Sequence, residues 1–146
     1  KGHVKVLAIL LSNGAKTECK NEDGETPLCL AVLNNNLEAM KLLIFAGANK
    51  EARTTEGSTP IILAARKNHA KCVAQLLDDG ANGEAARHDG WQAFHVAAHN
   101  GFLETIKVLG KGGVEHHHTN KAGRTALWMA EKKKHTEVAK YIRDDL

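Results

Sequence analysis

The chain repeats itself at a fixed interval of 33 residues. The pair Thr26-Pro27 returns as Thr59-Pro60, and two sets of glycine-containing positions keep the same step. A period of roughly 20 to 50 residues is typical of a solenoid, in which each unit is too small to bury its own apolar face and stacks on its neighbours. The sequence therefore predicts a stacked array with a long outer surface and little enclosed space. The first glycine set is Gly24, Gly57, Gly90 and Gly123, and the second is Gly14-Ala15, Gly47-Ala48, Gly80-Ala81 and Gly113-Val114.

Composition favours a ribbon-shaped core in a reducing environment. Hydrophobic residues make up 42% of the 146 residues but aromatic residues only 4%, so Ala, Leu, Ile and Val must build the interior. The three cysteines, Cys19, Cys29 and Cys72, form no CxxC pair, and their odd number argues against a disulfide framework. No apolar run is long enough for a bilayer and no signal-peptide pattern opens the chain. We therefore expect a cytoplasmic or nuclear protein without membrane association.

Each unit contains signals for a turn and two short helices. In the second unit, Asp23-Gly24 favours a tight turn, Thr26 suits a helix N-cap, and Pro27 suits the first helical turn. The run Asn34-Asn35-Asn36 ends this helix, and a second apolar stripe follows until Gly47 provides a C-cap. The same order returns in the next three units, while the first residues supply only the second half of a unit.

These motifs resemble the ankyrin repeat family, whose unit is a β-turn followed by two helices with a Thr-Pro-Leu-His-x-Ala signature. The resemblance covers essentially the whole chain. It implies an all-α ankyrin-repeat solenoid of stacked helix-turn-helix units with β-hairpin fingers, and a concave face formed by the fingers and the first helices. The implied single domain comprises a half repeat at 1–19, repeats at 20–52, 53–85 and 86–118, and a C-terminal capping repeat at 119–146.

Departures from the signature lead to further expectations. The signature histidine survives only as His95, where the resemblance implies a structural hydrogen bond, and the equivalent positions hold Cys29, Ile62 and Trp128. We expect Trp128 to fill the core or the cap. Gly110, Gly112 and Gly113 should make the fourth unit the loosest, because glycine disfavours a helix interior. The apolar first half-unit has no partner helix before it, so we expect further sequence upstream of residue 1.

No arrangement of residues indicates catalysis, and histidine offers only a weak metal motif. His95 and His99 lie four apart on an expected helix, and His116-His117-His118 lie on an expected finger strand where neighbours alternate faces. Neither set has a clear third ligand, so solvated or structural histidines are favoured over a metal site. Cys29 and Cys72 fall on apolar helix stripes and Cys19 should be exposed. The sequence therefore predicts a binding module that is not an enzyme and needs no cofactor or metal.

The resemblance also implies where a partner binds, since finger tips and the exposed side of the first helix carry this role in the family. The surface formed by these finger tips and helix sides changes from acidic to basic along the chain. The same reasoning places Ser58 on this surface. The partner-binding residues implied for this sequence are Glu25, Arg66, Lys67, His88, Asp89, Trp91, His99, Asn100, Arg124, Lys132 and Lys133.

Trp91 is the most informative member of this set. A large aromatic side chain at a finger tip is either an interface anchor or folds over a neighbouring finger. The main prediction is a monomeric protein-protein interaction module that binds a protein or peptide on its concave face. The alternative is anion or nucleic-acid binding through the basic C-terminal half of that face, which is disfavoured because few aromatic residues appear among the basic ones to stack bases.

Overall fold

The computed structural model describes residues 2–146. Between those residues the chain forms nine helices joined by turns, as the 33-residue pattern predicts, and the helices after α1 come in pairs. The helices are α1 (Gly2–Ser12), α2 (Pro27–Leu33), α3 (Leu37–Phe45), α4 (Pro60–Arg66), α5 (Ala70–Asp78), α6 (Ala93–Asn100), α7 (Leu103–Lys111), α8 (Ala126–Lys132) and α9 (Thr136–Asp144).

A threonine caps the first helix of two units as the sequence indicates, whereas Thr59 precedes Pro60 without a side-chain cap hydrogen bond. The hydroxyl of Thr26 accepts a hydrogen bond from the backbone N–H of Cys29 at 3.4 Å, and Pro27 occupies the first turn of α2. Thr125 repeats this cap at α8, where its hydroxyl accepts from the N–H of Trp128 at 3.2 Å. Each cap satisfies one of the N–H groups that a helix start leaves without an intrahelical partner.

The helices form two layers with one continuous apolar core between them. The first helices α2, α4, α6 and α8 pack side by side in one layer, and the second helices pack on them and on each other in the other. Buried side chains from every unit after the first join this core, including Leu28, Ile61, Phe94 and Ala126. The stack therefore has no separate domain cores, as expected for units that depend on their neighbours.

A repeated glutamate links each of the first three units to the next. The side chain of Glu18 accepts a hydrogen bond from the backbone N–H of Asn49 at 2.9 Å, and Glu51 makes the same bond to the N–H of Asn82 at 2.8 Å. Glu84 repeats it with the N–H of Glu115 at 2.9 Å. This contact follows the 33-residue step, so the sequence period corresponds to a period of inter-unit hydrogen bonds.

The fingers are tighter turns than the predicted hairpins. Within residues 2–146 the only β pairing is an isolated antiparallel bridge between Ala86 and Gln92, so the expected finger strands do not form. Each turn reverses the chain within five residues, and backbone groups at its tip pair with the neighbouring finger, such as the N–H of Thr55 with the carbonyl of Asp23. At the turns, Gly24 and Gly90 have φ of 73° and 81°, and a Cβ there would lie 2.9 and 2.8 Å from a backbone nitrogen of the next finger. Glycine therefore lets adjacent fingers approach closely.

In the part of the chain that the structure describes, no helix has both the length and the apolar character needed to cross a bilayer.

Candidate binding surface

The surface of interest, here called the inner face, consists of four finger turns and the exposed sides of the first helices. The turns span residues 21–25, 54–58, 87–91 and 120–124. Each is closed by the same backbone hydrogen bond, in which the N–H of the first residue donates to the carbonyl of the fifth at 2.9 to 3.1 Å. Asn21, Thr54 and Asn120 reinforce their turns with side-chain oxygens that accept backbone N–H groups within the turn.

Backbone hydrogen bonds also join neighbouring finger tips. The N–H of Thr55 donates to the carbonyl of Asp23 at 2.9 Å, and the N–H of Lys121 donates to that of Asp89 at 3.2 Å. A longer bond of 3.4 Å joins the N–H of His88 to the carbonyl of Glu56. Because main-chain atoms hold the tips together, the side chains on them are presented from a backbone that is already ordered.

Five of the predicted binding residues meet in one groove between the fourth and fifth units, here called the tryptophan groove. Its volume is about 280 Å³, and it is open to solvent. Within it, the ring of Trp91 meets His99 edge to face with centroids 5.1 Å apart, and the guanidinium of Arg124 lies 4.6 Å from the centre of the Trp128 ring. The lining residues are Trp91, His99, Arg124, Trp128, Met129, Lys132 and Lys133.

The tryptophan groove is cationic. The pKa of His99 is lowered from its ordinary value by desolvation and then by the positive charges of Lys133 and His135, so its imidazole is neutral at neutral pH. The charged lining side chains are Arg124, Lys132 and Lys133, and no carboxylate lines this groove. An anionic group that carries apolar or planar surface would find complementary charge and aromatic contact there.

A second groove of about 220 Å³ lies between the second and third units and has the opposite charge. It is here called the acidic groove, and three of its side chains are carboxylates, those of Asp23, Glu25 and Glu56. Arg66 also lines it, but its guanidinium is 3.2 Å from Glu56, so this cation is already paired. The remaining lining residues are Thr54 and Thr55. The acidic-to-basic change expected from the sequence therefore takes the form of two separate grooves.

The other four predicted binding residues lie outside both grooves. His88 and Asp89 are exposed on the third finger turn, and Asp89 pairs with Arg87 at 2.9 Å. Lys67 is the C-cap of α4 and Asn100 ends α6, and both are exposed. That any of the eleven residues contacts a partner stays a prediction.

Two expectations about side-chain placement are wrong. Ser58 is fully buried, because it directly precedes the Thr-Pro start of α4 and packs under the finger. Trp128 is 40% exposed and does not fill the core. At the equivalent position of the fourth unit, His95 reaches the carbonyl of Arg124 in the unit that follows, whereas Trp128 lines the tryptophan groove.

Trp91 combines features of both sequence interpretations. It is half-buried and packs against the core, and its ring contacts His99 of its own unit, so it does not simply fold over a neighbouring finger. The implied binding set places His99 on the exposed side of its helix, but the residue is half-buried against the Trp91 ring. Part of the Trp91 side chain remains open in the groove, where a partner would cover it.

His95 has the structural role that the resemblance implied. Its Nδ1 accepts a hydrogen bond from the backbone N–H of Gln92 at 3.2 Å, so Nε2 carries the proton. Nε2 lies 3.0 Å from the carbonyl of His118 and 3.1 Å from that of Arg124, and donates to them. Desolvation lowers the pKa of His95 despite these two carbonyls, so the buried ring is neutral.

The triple histidine does not alternate faces, because residues 116–118 form no strand. The rings of His116 and His117 instead lie 3.8 Å apart, and His116 also packs near Phe94. His118 is used differently, with its Nδ1 3.2 Å from Glu84 and 2.9 Å from the Gln92 amide. Residues 2–146 contain no cluster of three or more His, Cys, Asp or Glu side chains that could hold a metal ion.

The cysteines are placed as the sequence predicts. Cys19 is exposed, whereas Cys29 and Cys72 are buried. Burial raises the pKa of the Cys72 thiol, which lowers the fraction of nucleophilic thiolate at neutral pH, and the thiol is hydrogen-bonded to Asn35. Cys72 is therefore a core residue in an environment opposite to that of an activated nucleophile.

Two side chains, one lining the tryptophan groove and one exposed on the outer layer, were not predicted from the sequence. Met129 lines the tryptophan groove next to Trp128, although its position on the first helix gave a signal. Phe45 is 93% exposed at the end of α3, on the outer layer of second helices. It borders a shallow groove with Ile44 and Gln75. The apolar stripe of α3 predicted that the residues next to Phe45 are buried. No pattern in the sequence distinguished Phe45 from these neighbours.

Comparison with known proteins identifies the repeat. A family model described as ankyrin repeats in three copies matches residues 1–86 and again residues 81–145. The two matches together cover nearly the whole chain. No curated protein is significantly similar to it.

Proposed function

Because the chain belongs to the ankyrin repeat family, whose repeats generally serve as protein-protein interaction modules, we propose that its inner face binds a partner protein or peptide. One observation carries the proposal: Trp91, His99, Arg124, Lys132 and Lys133, which are scattered over 43 positions in the sequence, converge on one open groove. Tryptophan and arginine are the residues most enriched in interface hot spots.

The construction of the inner face supports this function. Backbone hydrogen bonds within and between the finger turns fix the side chains before a partner arrives. A binding surface that is already ordered avoids much of the entropy cost of association. The exposed part of Trp128, already stacked by Arg124, is the largest apolar area in the groove and serves as an anchor together with Trp91.

Selection of peptides from a random display library tests this proposal. Peptides selected on the unaltered protein should bind at least about tenfold more weakly to Trp128→Ala, because removing a hot-spot aromatic typically costs about 2 kcal/mol. Trp128 is partly exposed, so the variant should fold. The matched control is Phe45→Ala, which removes an exposed aromatic from the outer layer and should leave binding unchanged. Peptides that respond only to Phe45→Ala would show that the wrong face was chosen.

The second candidate is anion or nucleic-acid binding by the basic C-terminal half of the inner face. The sequence disfavoured it for lack of aromatic residues, but Trp91 and Trp128 lie among Arg124, Lys132 and Lys133. A single strand that stacks bases on these rings would lose affinity steeply as salt rises, in proportion to the phosphates neutralised. Filter binding of a labelled single-stranded oligonucleotide across a salt series measures this. Protein remains the first candidate because the acidic groove on the same face repels phosphate.

We also propose that the protein works as a monomer without a cofactor or metal and without catalytic activity. We also place it in the cytoplasm or nucleus, where its three free cysteines would stay reduced. The repeat boundaries at 20–52, 53–85, 86–118 and 119–146 belong to the same proposal, and the helix pairs α2–α3, α4–α5, α6–α7 and α8–α9 fall within them.

A further inference from the structure

The inner face carries two grooves of opposite charge at a defined separation. The acidic groove has three carboxylates and one guanidinium that is paired with Glu56. The tryptophan groove has three cations, no lining carboxylate and two indole rings. A single strand of nucleic acid has uniform negative charge and would complement only one of them. A polypeptide can carry opposite charges at its two ends and complement both.

The repeat geometry sets the distance between the grooves. The acidic groove lies between the second and third units and the tryptophan groove between the fourth and fifth, so they are two units apart. Neighbouring packed helices are about 8 to 10 Å apart, which gives a separation of roughly 16 to 20 Å. An extended peptide advances about 3.3 Å per residue, so about five or six residues cover this distance.

A ligand of the tryptophan groove needs an apolar group as well as negative charge. Arg124 stacks on Trp128 at 4.6 Å, Trp91 is half-buried against His99, and Met129 lies beside them. Neutral His99 adds no charge at neutral pH. These side chains offer an apolar floor between cations. The matching ligand is a carboxylate next to an apolar side chain.

Resting on the function proposed above, we propose that the inner face selects an extended peptide segment with opposite charges at its ends. The basic end lies in the acidic groove against Asp23 and Glu25, because Glu56 is already paired with Arg66. The acidic end, with one apolar side chain, lies in the tryptophan groove against Trp128, Lys132 and Lys133. About five or six residues separate the two ends.

A fluorescence-anisotropy titration with synthetic peptides tests this. The probe has two arginines at one end, about four alanines, and a leucine followed by two glutamates, and it is made in both chain directions because the charges do not fix the direction. The control has the same composition with arginines and glutamates interleaved. The probe should bind at least about fivefold more tightly than the control in one direction or both, since complementary charges add where both ends fit. Equal binding of probe and control would overturn the proposal.

Reversing the charge of the tryptophan groove shows which end of the peptide lies in that groove. The double substitution Lys132→Glu and Lys133→Glu should weaken the probe at least about fivefold. It should also strengthen a second peptide that carries arginines at both ends, relative to the unaltered protein. Both lysines are exposed, so the variant should fold, which circular dichroism would verify. A control variant with Lys71→Glu, at an exposed position on α5 in the outer layer, should change neither peptide. A probe insensitive to reversal in the groove would refute the assignment.

Two outcomes distinguish a failure of this inference from a failure of the proposed function. If library-selected peptides depend on Trp128 but the charged probe does not bind, the inner face binds polypeptides and the polarity inference is wrong. If neither the selected peptides nor the probe depends on inner-face residues, the proposed function fails as well. Tighter binding of a single-stranded oligonucleotide than of the probe, abolished by the Lys132 and Lys133 reversal, would contradict the inference in favour of nucleic acid.

Discussion

His95 illustrates how one buried polar residue can hold two units together. Its ring accepts one hydrogen bond from Gln92 and donates to the carbonyls of His118 in its own unit and Arg124 in the next, and it is 1% exposed. Its equivalents Cys29 and Ile62 are also buried but are small or apolar. The interface between the fourth and fifth units therefore depends on a polar contact that the earlier interfaces do without.

Replacing His95 with leucine should destabilise the protein by about 2 to 4 kcal/mol, because the N–H of Gln92 and two carbonyls would lose a buried partner. Urea unfolding followed by circular dichroism measures the change. Ile62→Leu at the same register, which keeps the side-chain volume, should cost less than about 1.5 kcal/mol. Similar losses at the two positions would mean that the hydrogen bonds of His95 contribute little.

His95 also predicts a dependence of stability on pH. Burial lowers its pKa in the folded state, so the unfolded chain takes up a proton first as pH falls below the ordinary histidine value of about 6.5. The contribution to stability is complete above that value and is lost as pH falls from it towards the lower folded-state pKa. The pKa values of His99 and His116 are lowered in the same direction and add to the effect.

The free energy of unfolding should therefore decrease between about pH 7 and pH 5, with a shallower slope in His95→Gln than in the unaltered protein. Urea titrations at several pH values, compared between the two proteins, provide the measurement. The glutamine variant will start from a lower stability, so the slopes and not the midpoints are compared. Parallel slopes would show that the buried imidazole does not resist protonation.

At the scale of elements, glycines at the end of α7 serve two different purposes. Gly110 lies inside α7, and the three atoms nearest to a Cβ there would all belong to the side chain of Leu146. Gly113 has φ of 73° with open space around it, so its backbone conformation is what requires glycine. That the fourth unit is the loosest stays a prediction. Substitutions at Gly110 and Gly113 are expected to change the stability of the protein in opposite directions.

Gly110→Ala should stabilise the protein by about 0.5 to 1 kcal/mol, because alanine favours a helix interior and Leu146 can move aside. Gly113→Ala should destabilise it by about 1 kcal/mol, since alanine pays to adopt a left-handed conformation. Thermal unfolding of both variants gives the comparison. Destabilisation by Gly110→Ala would indicate that the helix end is packed more rigidly than its contacts imply.

The elements also show what the sequence can predict. The Thr26 cap, the helix pairs and the turn glycines follow from local chemistry, and all were predictable. The finger strands were not, since backbone groups at the finger tips pair with neighbouring fingers, which depends on how the units stack. Trp128 was misplaced because its register equals that of buried His95, whereas the structure leaves it 40% exposed in the tryptophan groove.

At the scale of the whole molecule, the repeat places distant residues on one face. Residues on the same step of the 33-residue period align, so most of the inner face could be predicted from the register, although Ser58 and Trp128 were misplaced. The two grooves could not be predicted, because they depend on pairing between particular side chains within a unit, such as Arg66 with Glu56 and Arg124 with Trp128. The period thus determined which residues are neighbours, and the structure was needed to show which charges remain unpaired.

The central claim is that a polypeptide binds the inner face and not the outer layer of second helices. The most direct test is a titration of the isotope-labelled protein with a library-selected peptide, followed through its amide resonances in nuclear magnetic resonance spectra. Binding to the inner face predicts shifts concentrated in the finger turns and first helices, including residues 87–100 and 120–133 around the tryptophan groove. Shifts concentrated instead around exposed Phe45, on α3 and α5, would contradict it.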